Sequence, residues 1–521
     1  MDMNEIRERR KKRAIKVAIT EGLMVVAIAM LVVVATMMTV GYSVRLDEEV
    51  AIERTGLVAV QSVPTGATVT VDGAGMFLRT NMRRTVAEGT HEITLTREGY
   101  DSWTRTVGVS AGMFYRIEYP RLFLTEKEVE KVGELAVGAK YTIAPDENNM
   151  LVANPGENKW EVWRINEDKP VATELKTAGV IGVDENGKAG TVVAGKVETV
   201  EFLSWSGNSE KVIAKINGEY VLVNIRKAEE SVNLSRTYGM EFAKLEFAND
   251  AGSKIWATER GNLREIEVNG GISGVLVEGV ESFANNREEV VYVASVGGER
   301  KVGTYKEGEK AGTVIAEVRV MGESDEEDID KDDEAEVFEL GAGTKVRVGS
   351  AKYYGDDYVM MAAGGKVRVY RGTLPRYGAE ETKLEVIYEG ETGVEIEAIE
   401  ARGRGGVIAA TNVAGTEAVV FDAERIMVRS ENEEDKIEGN VVKFTTSTEM
   451  GWVDEFLMYG VEGGRLVVMD FDGENRREIV GEELVAKSAK VSSAGEVRIS
   501  RNEKWMYFLG EDRGLYRVRI N

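Results

Sequence analysis

Cysteine is absent from the 521 residues, so disulfides, thiolate metal sites and cysteine nucleophiles are excluded at the outset. Histidine is nearly absent, with His91 the only one. The chain beyond it therefore holds neither a Ser-His-Asp triad nor a histidine metal centre. Six prolines stand against 57 glycines, which suits a chain turned by Gly, Asn and Asp between many short strands rather than one spaced by rigid linkers. Positive charge is scarce as well. Lys and Arg number 66 against 90 Asp and Glu, a formal charge of −24, and no long basic groove follows the extreme N-terminus. A nucleic-acid backbone is accordingly an unfavourable partner, and an acidic surface also repels anionic lipids and phosphorylated polymers.

Charge of both signs is missing from one place in particular. The stretch "EIRERRKKRAIK" gathers Arg7, Arg9, Arg10, Lys11, Lys12, Arg13 and Lys16, and soon after it "GLMVVAIAMLVVVATMMTV", residues 22–40, carries no charge at all. About twenty apolar residues at 1.5 Å each cross the roughly 30 Å hydrocarbon layer. A buried core helix would show a polar face, and here only Thr36 and Thr39 interrupt the run. The alternative is a cleaved signal peptide, whose apolar region is usually shorter and ends in a small-residue site, whereas this one ends "TVGYSVRLDEE". The expectation is a basic cytoplasmic tail over 1–16, an uncleaved transmembrane helix over 17–42, and a linker over 43–56. The positive-inside rule then places the body outside the cell membrane, with Tyr42 at the outer interface and Glu21 snorkelling at the inner one. Residues 1–16 hold seven Lys/Arg and three Asp/Glu, so +4 of the −24 lies there and −28 in the remainder.

At this length the rest should divide into a small module and a large β architecture, or into several domains. "LVAVQSVPTGATVTVDG" alternates with period two around Val58, Val60, Val69 and Val71, with Pro64 and Gly66 turning between two strands and Asp72 and Gly73 closing the second. A third strand is expected in "THEITLTREGY" and a fourth in "WTRTVGV". The segment resembles the PEGA module, a small β-sandwich-like unit of bacterial surface proteins, over roughly residues 57–119. Matching positions are Pro64, Gly66, Ala67, Val69, Val71, Asp72, Gly73, Gly89, His91, Gly99 and Tyr100. Thr65 replaces the glutamate of the family's turn, and "RTNMRR" stands where such modules carry a Thr-Pro turn. The resemblance implies a spacer or surface-interaction unit rather than an enzyme, with His91 a structural residue in a G-x-H turn.

Residues 120–521 carry a weak repeat. "FLSWSGNSEKVIAKINGEYVLVNI" from Phe202 aligns with "KLEFANDAGSKIWATERGNLREIEV" from Lys244 and "SFANNREEVVYVASVGGERKVGTY" from Ser282. Each runs through a short strand, a polar turn, an apolar strand, a Gly turn and a second apolar strand. Eight such units recur from Tyr141 onward at roughly 40 to 60 residues, the length of a four-stranded propeller blade. They resemble the irregular repeats of TolB-type and related WD40-like propellers, notably "MDFDGENRREI" with Asp470, Asp472 and Gly473. The fold expected is thus mainly β: an N-terminal transmembrane helix, a small PEGA-like β-sandwich module, and a seven- or eight-bladed β-propeller. Stacked sandwiches are the alternative, but the rhythm has no break, and a closed ring removes the sheet edges that so many strands would expose.

Few residues point to chemistry. "GESDEEDIDKDDEAE", 322–336, reads as a disordered loop between blades; as a cation site it fails the EF-hand template, since Asp333 stands where Gly is needed after Asp328, Asp330 and Asp332. "AGGK" at Lys366 and "VEGGR" at Arg465 read as hairpin turns rather than phosphate cradles. Trp160, Trp163, Trp205, Trp256 and Trp505 fall in strands and read as packing between blades, with binding at a central channel as the sharper alternative. No catalytic, cofactor or metal residue is assigned. The reading is a membrane-anchored, extracytoplasmic binding or scaffold protein of the cell envelope, not an enzyme, whose propeller takes a protein, peptide or glycan partner. The alternative is a carboxylate-based glycan-active hydrolase or lyase on the same scaffold.

Overall fold

Strands such as "NMLVAN" and "DYVMMAA" are too continuously apolar for a sheet with one wet face. In the computed structural model both faces are covered. The structure describes residues 3–39, 41–46, 50–155, 159–167, 169–175, 197–286, 289–297, 299–321, 338–341, 344–353, 355–378, 384–402, 406–412, 414–423, 441–486, 488–493 and 495–521. These form two compact units, one within residues up to 122 and a larger one from 123 onward, residues 99–101 grouping with the larger.

In the larger unit eight mainly antiparallel sheets follow one another along the chain, the first seven with their strands in sequence order. Blades 1 to 3 span 140–174, 200–233 and 242–272; blades 4 to 6 span 280–341, 346–391 and 396–445; blade 7 spans 450–480. Blade 8 takes its first three strands, Arg498–Ile499, Trp505–Leu509 and Gly514–Arg519, from the C-terminus, and its outermost strand, Val129–Glu134, from the start of the unit. That pairing closes a ring, which settles a propeller of eight blades against a stack of sandwiches. Blade 4 adds a fifth strand, Phe338–Gly341, parallel to its fourth.

Closure explains the apolar runs. In the second strand of blade 1, Asn149–Asn154, Met150 and Val152 pack with Tyr507 and Leu515 of blade 8. Their neighbours Leu151 and Ala153 point the other way, onto Val200, Val212 and Ala214 of blade 2. The alternation recurs around the ring. Val290 and Tyr292 meet Trp256 of blade 3, while Val291 and Val293 meet Val346 and Met361 of blade 5. Each such side chain contributes about 1.5–3 kcal/mol on burial, and the middle strands of every blade bury both faces. At the seam Arg517, almost fully buried, donates from Nη2 to Glu130 Oε2 at 2.7 Å and lies 3.9 Å over the Trp505 ring.

The small unit holds two four-stranded sheets, as expected of a β sandwich. One pairs Tyr42–Leu46, Val50–Val60, Met82–Ala87 and Phe114–Ile117; the other orders Ala74–Arg79, Thr68–Val71, Gly89–Thr96 and Trp103–Val109. Asp72 and Gly73 turn between two strands with φ of 51° and 74°, the left-handed pair of a tight hairpin. The residues that depart from the PEGA pattern build the turn's anchor: Thr80 Oγ1 accepts from the Ala67 N–H at 3.0 Å and meets Ser62 Oγ at 2.6 Å. One expectation is corrected. Residues 43–56 are not a linker, because Tyr42–Leu46 and the first half of Val50–Val60 pair as strands, with the Thr55 N–H donating to the Gly41 carbonyl. The period-two pattern of "VAIERTGLVAV" is blurred by Glu53 and Arg54, which hides the strand's first half from a sequence reading.

The N-terminal helix runs Met3–Thr39, further into the basic segment than the apolar run alone requires. Thr20 and Thr36 donate their hydroxyls to the carbonyls of Lys16 and Val32 in the preceding turn, so neither burdens the apolar surface.

Removing residues 514–521 deletes four buried apolar side chains, Leu515, Tyr516, Val518 and Ile520, besides Arg517. At about 1.5–3 kcal/mol each, the loss is comparable with the whole stability of a domain, about 5–15 kcal/mol. The truncated protein is expected to show no cooperative thermal transition and to aggregate through the opened strand Val129–Glu134. Parent-like melting would contradict the closed ring.

Candidate binding channel

The first strands of several blades mix apolar with charged or polar residues, as in "FAKLEF", "VESFANN" and "IEAIEAR". These strands line the axis of the ring. A cavity of about 610 Å³ touches the first strands of blades 2 to 6 at once, through Leu203, Lys244, Asn285, Ser350 and Glu400 among others. A second, of about 830 Å³, is bounded by blades 1, 2, 7 and 8, through Thr142, Trp452, Glu496, Arg498 and Arg501. Leu203, Ser204 and Trp205 line both, so the two are halves of one central channel. Their size is that of a ligand site.

Bulges decide what the channel sees. In blades 2, 3, 4 and 6 the pairing of the first strand slips by one residue, leaving Leu203, Ala243, Glu281 and Glu397 without a cross-strand partner. An extra residue re-aims its neighbours. Leu203 is thereby left 40% exposed inside the ring.

Polar groups tie neighbouring blades together around this space. The Trp205 indole N–H donates to Thr142 Oγ1 at 3.0 Å, and the Thr142 hydroxyl donates to Glu496 Oε1 at 3.3 Å. Glu496 Oε2 accepts from the Ile143 N–H at 3.1 Å. A single relay thus joins blades 2, 1 and 8. Tyr141 donates to the Glu496 carbonyl at 2.6 Å and Tyr459 to the Gly495 carbonyl at 3.2 Å. Burial first, then the Glu496 charge, pushes the Tyr141 phenol well up; burial likewise raises Tyr459, against the opposing pull of Arg498. Both phenols therefore stay protonated as donors. The Arg498 guanidinium donates to the Trp452 carbonyl. Across the channel Lys244 donates to the Phe283 carbonyl at 2.8 Å, pairs with Glu246 at 2.6 Å, and lies 4.5 Å over the Phe283 ring.

The mouth is framed by a repeated turn. Ser206 and Ser500 open the link between the first two strands of blades 2 and 8, and each donates its hydroxyl to an Asn two residues on, Asn208 at 2.8 Å and Asn502 at 2.7 Å. Ser209 and Glu503 follow with φ of 59° and 56°. Successive turns join hands: the Asp146 N–H donates to Ser209 Oγ and the Asn208 N–H to the Asp250 carbonyl, both at 2.9 Å.

The residues singled out in the sequence are spread over the molecule. Trp160 and Trp256 are fully buried between blades, Trp163 is buried at the seam, and Trp505 lies under Arg517. Only Trp205 of the five faces the channel, beside Trp452, which the sequence reading did not select. Lys366 and Arg465 each follow a Gly pair with positive φ and begin a strand, as hairpin turns require. Residues 322–336 lie outside the described residues. Among the described residues no group of three His, Cys, Asp or Glu side chains is placed to hold a metal ion. Leu203 and Arg498 were missed because a bulge and a two-residue strand leave no periodic signal.

His91 sits in the small unit. Nδ1 meets Asp72 Oδ2 at 2.7 Å and Nε2 meets the Ala87 carbonyl at 2.9 Å, while Asp72 Oδ1 accepts from the Glu92 N–H at 2.9 Å. The hydrogen bond from His91, then that from Glu92, holds the Asp72 carboxyl below its ordinary 3.8. A folded value below the unfolded one stabilises above the unfolded pKa, and that contribution is lost as pH falls through the folded value. Hydrogen exchange over 87–96, corrected for intrinsic pH dependence, is expected to show steady protection above about pH 4 and a fall below it. Asp72→Asn should abolish the step; an identical step in that variant would assign it to another group.

Comparison with known proteins bears on each unit. Residues 55–121 match the PEGA domain. No curated protein matches the chain. Among solved structures, Hsv2 of Kluyveromyces lactis is similar at 10% identity and a TM-score of 0.35, over 73% of this chain and 96% of that one. Apo AztD of Citrobacter koseri is similar at 10% and 0.36, over 80% and 96%. The Cps50 (Swd1) β-propeller domain of Myceliophteria thermophila is similar at 8% and 0.36, over 75% and 99%. At these values the propeller rests on the eight sheets and their closure. The helix segment Ile15–Met37 is long and apolar enough to cross a membrane, and none of it is buried against the protein; a signal sequence would share those properties.

Proposed function

We propose that this chain is a membrane-anchored binding protein of the cell envelope, held by an uncleaved helix with its N-terminus in the cytoplasm and its two β units outside. The mouth of the propeller channel receives a protein, peptide or glycan partner. The observation that carries the reading is Leu203, an apolar side chain left exposed between Trp205 and charged residues inside a cavity of ligand size. The role is binding rather than catalysis. Carboxylates near the mouth are already engaged, Glu496 across blades by Thr142 and Ile143, Asp146 within its turn by the Asn148 N–H and the Asn149 side chain, and Asp454 within its turn by the Phe456 and Leu457 N–H groups. Sidedness is supported by the basic cluster before the helix and by the match of the following module to a PEGA domain.

A membrane-impermeant amine cross-linker applied to intact cells tests both parts. The parent is expected to be modified from outside and to yield a discrete adduct of higher mass. Leu203→Arg, a change at an exposed position, should reduce that adduct at least about tenfold, the effect of losing roughly 1.4 kcal/mol of binding, with melting unchanged. An unmodified body in intact cells would refute the sidedness, and an undiminished adduct would refute the channel as the binding surface.

A further inference from the structure

The small unit is charged unlike the rest of the chain. Residues 41–121 hold nine arginines, no lysine and ten acids, close to neutral, whereas the 400 residues from 122 onward hold 76 acids against 50 Lys/Arg. Two of the arginines lie on the outer face of its first sheet. Pairing sets Leu57 beside Thr85 and Phe114 in one row, and Ala59 beside Arg83 and Arg116 in the next. Val58, Val60, Tyr115 and Ile117 point to the core; of the residues between and beside them Leu57, Arg83 and Thr85 are exposed, Phe114 and Arg116 half-buried, and Ala59 buried. Both guanidiniums turn towards the same aromatic ring: the Arg116 Cζ lies 5.1 Å and the Arg83 Cζ 5.8 Å from the Phe114 centroid. Leu57 is 37% exposed and Met113, just before Phe114, 42%. Two cations converging on a face that also shows Leu, Met and Phe match a phosphate-rich layer with hydrocarbon beneath it.

The position of this face relative to the helix is fixed by backbone contacts. Thr39 ends the helix, and two residues, at most about 7 Å of chain, lead to Gly41. There the Gly41 carbonyl accepts from the Thr55 N–H at 2.6 Å, and the Gly112 N–H donates to the Thr55 carbonyl at 2.9 Å. A Cβ on Gly41 would stand 2.1 Å from the Gly112 nitrogen, so the close approach needs glycine. The loop 110–113 therefore sits at the end of the helix, and Phe114 follows it directly. The headgroup layer extends about 5–8 Å beyond the hydrocarbon on each side, the level at which Met113 and Phe114 emerge.

We propose that the outer face of this sheet, with Arg83, Arg116, Phe114, Leu57 and Met113, docks on the phosphates of anionic phospholipids in the leaflet from which the helix emerges. The module then acts as a foot on the membrane through this one face. The inference rests on the helix being embedded and not on which side the body lies, nor on the channel having a ligand.

The absence of cysteine makes the test direct. The full-length protein carrying Thr85→Cys, labelled with an environment-sensitive fluorophore, is placed in nanodiscs of phosphatidylcholine alone or with phosphatidylglycerol, each with a trace of headgroup-quencher lipid. Copurification with the discs reports whether the helix is anchored, separately from docking. Quenching is expected to be strong with phosphatidylglycerol, weak in its absence, and reduced by 0.5 M salt. An arginine near an anionic surface contributes a factor of about five, so Arg83→Ser with Arg116→Ser should lower the docked-to-undocked ratio on the order of 30-fold. A label at Glu503→Cys on the propeller serves as the undocked reference. Equal quenching in both discs, or quenching indifferent to the two arginines, overturns the proposal. So does relief of quenching by millimolar inorganic phosphate at constant ionic strength, which would make the face a site for soluble phosphate instead.

Discussion

The pairing of Val129–Glu134 with Gly514–Arg519 is the constraint on which the larger unit depends. Eight sheets in a row would leave the first and last with a bare face of Val, Met, Tyr and Leu side chains. Drawing a strand from the start of the unit into the last blade lets blade 8 cover blade 1, as Tyr507 and Leu515 cover Met150 and Val152. Because each interface has the same form, closure is what allows every middle strand to be apolar on both faces. Apolar runs in the sequence are the consequence.

A closed ring then dictates the character of its axis. The first strands meet around a channel too wide for side chains to fill, and polar groups on and beside them tie neighbouring blades. The relay from Trp205 through Thr142 to Glu496 and the donors Tyr141 and Tyr459 belong to this bracing. Leu203 does not. It is an apolar residue presented by a bulge, in the part of the ring where bracing is otherwise polar.

Much of this architecture was legible in the sequence because the middle strands and their turns carry strong signals. Glycine pairs before Lys366 and Arg465, and the S-x-N turns at Ser206 and Ser500, mark hairpins whatever surrounds them. The number of blades was left at seven or eight because the outer strands are short and polar: Val232–Asn233 and Gly271–Ile272 have two residues each, and Arg498–Ile499 opens the last blade with two more. The strand entering the small unit was read as a linker since Glu53 and Arg54 interrupt its alternation. The channel was hardly legible at all. Which side chains face an axis depends on bulges that shift the period by one, and on strands eight blades apart being brought together by closure.

The absence of native cysteine allows closure to be measured in one experiment. Glu130 and Arg517 are cross-strand partners whose side chains meet, and adjacent antiparallel residues stand about 4.5–5.5 Å apart at Cα, within the range that a disulfide spans. In the double variant Glu130→Cys with Arg517→Cys, mild oxidation at low protein concentration is predicted to give an intramolecular disulfide in nearly all molecules, with the protein still folded and monomeric. Thiols that stay reduced, or that link only one chain to another, would contradict a ring closed by these two strands.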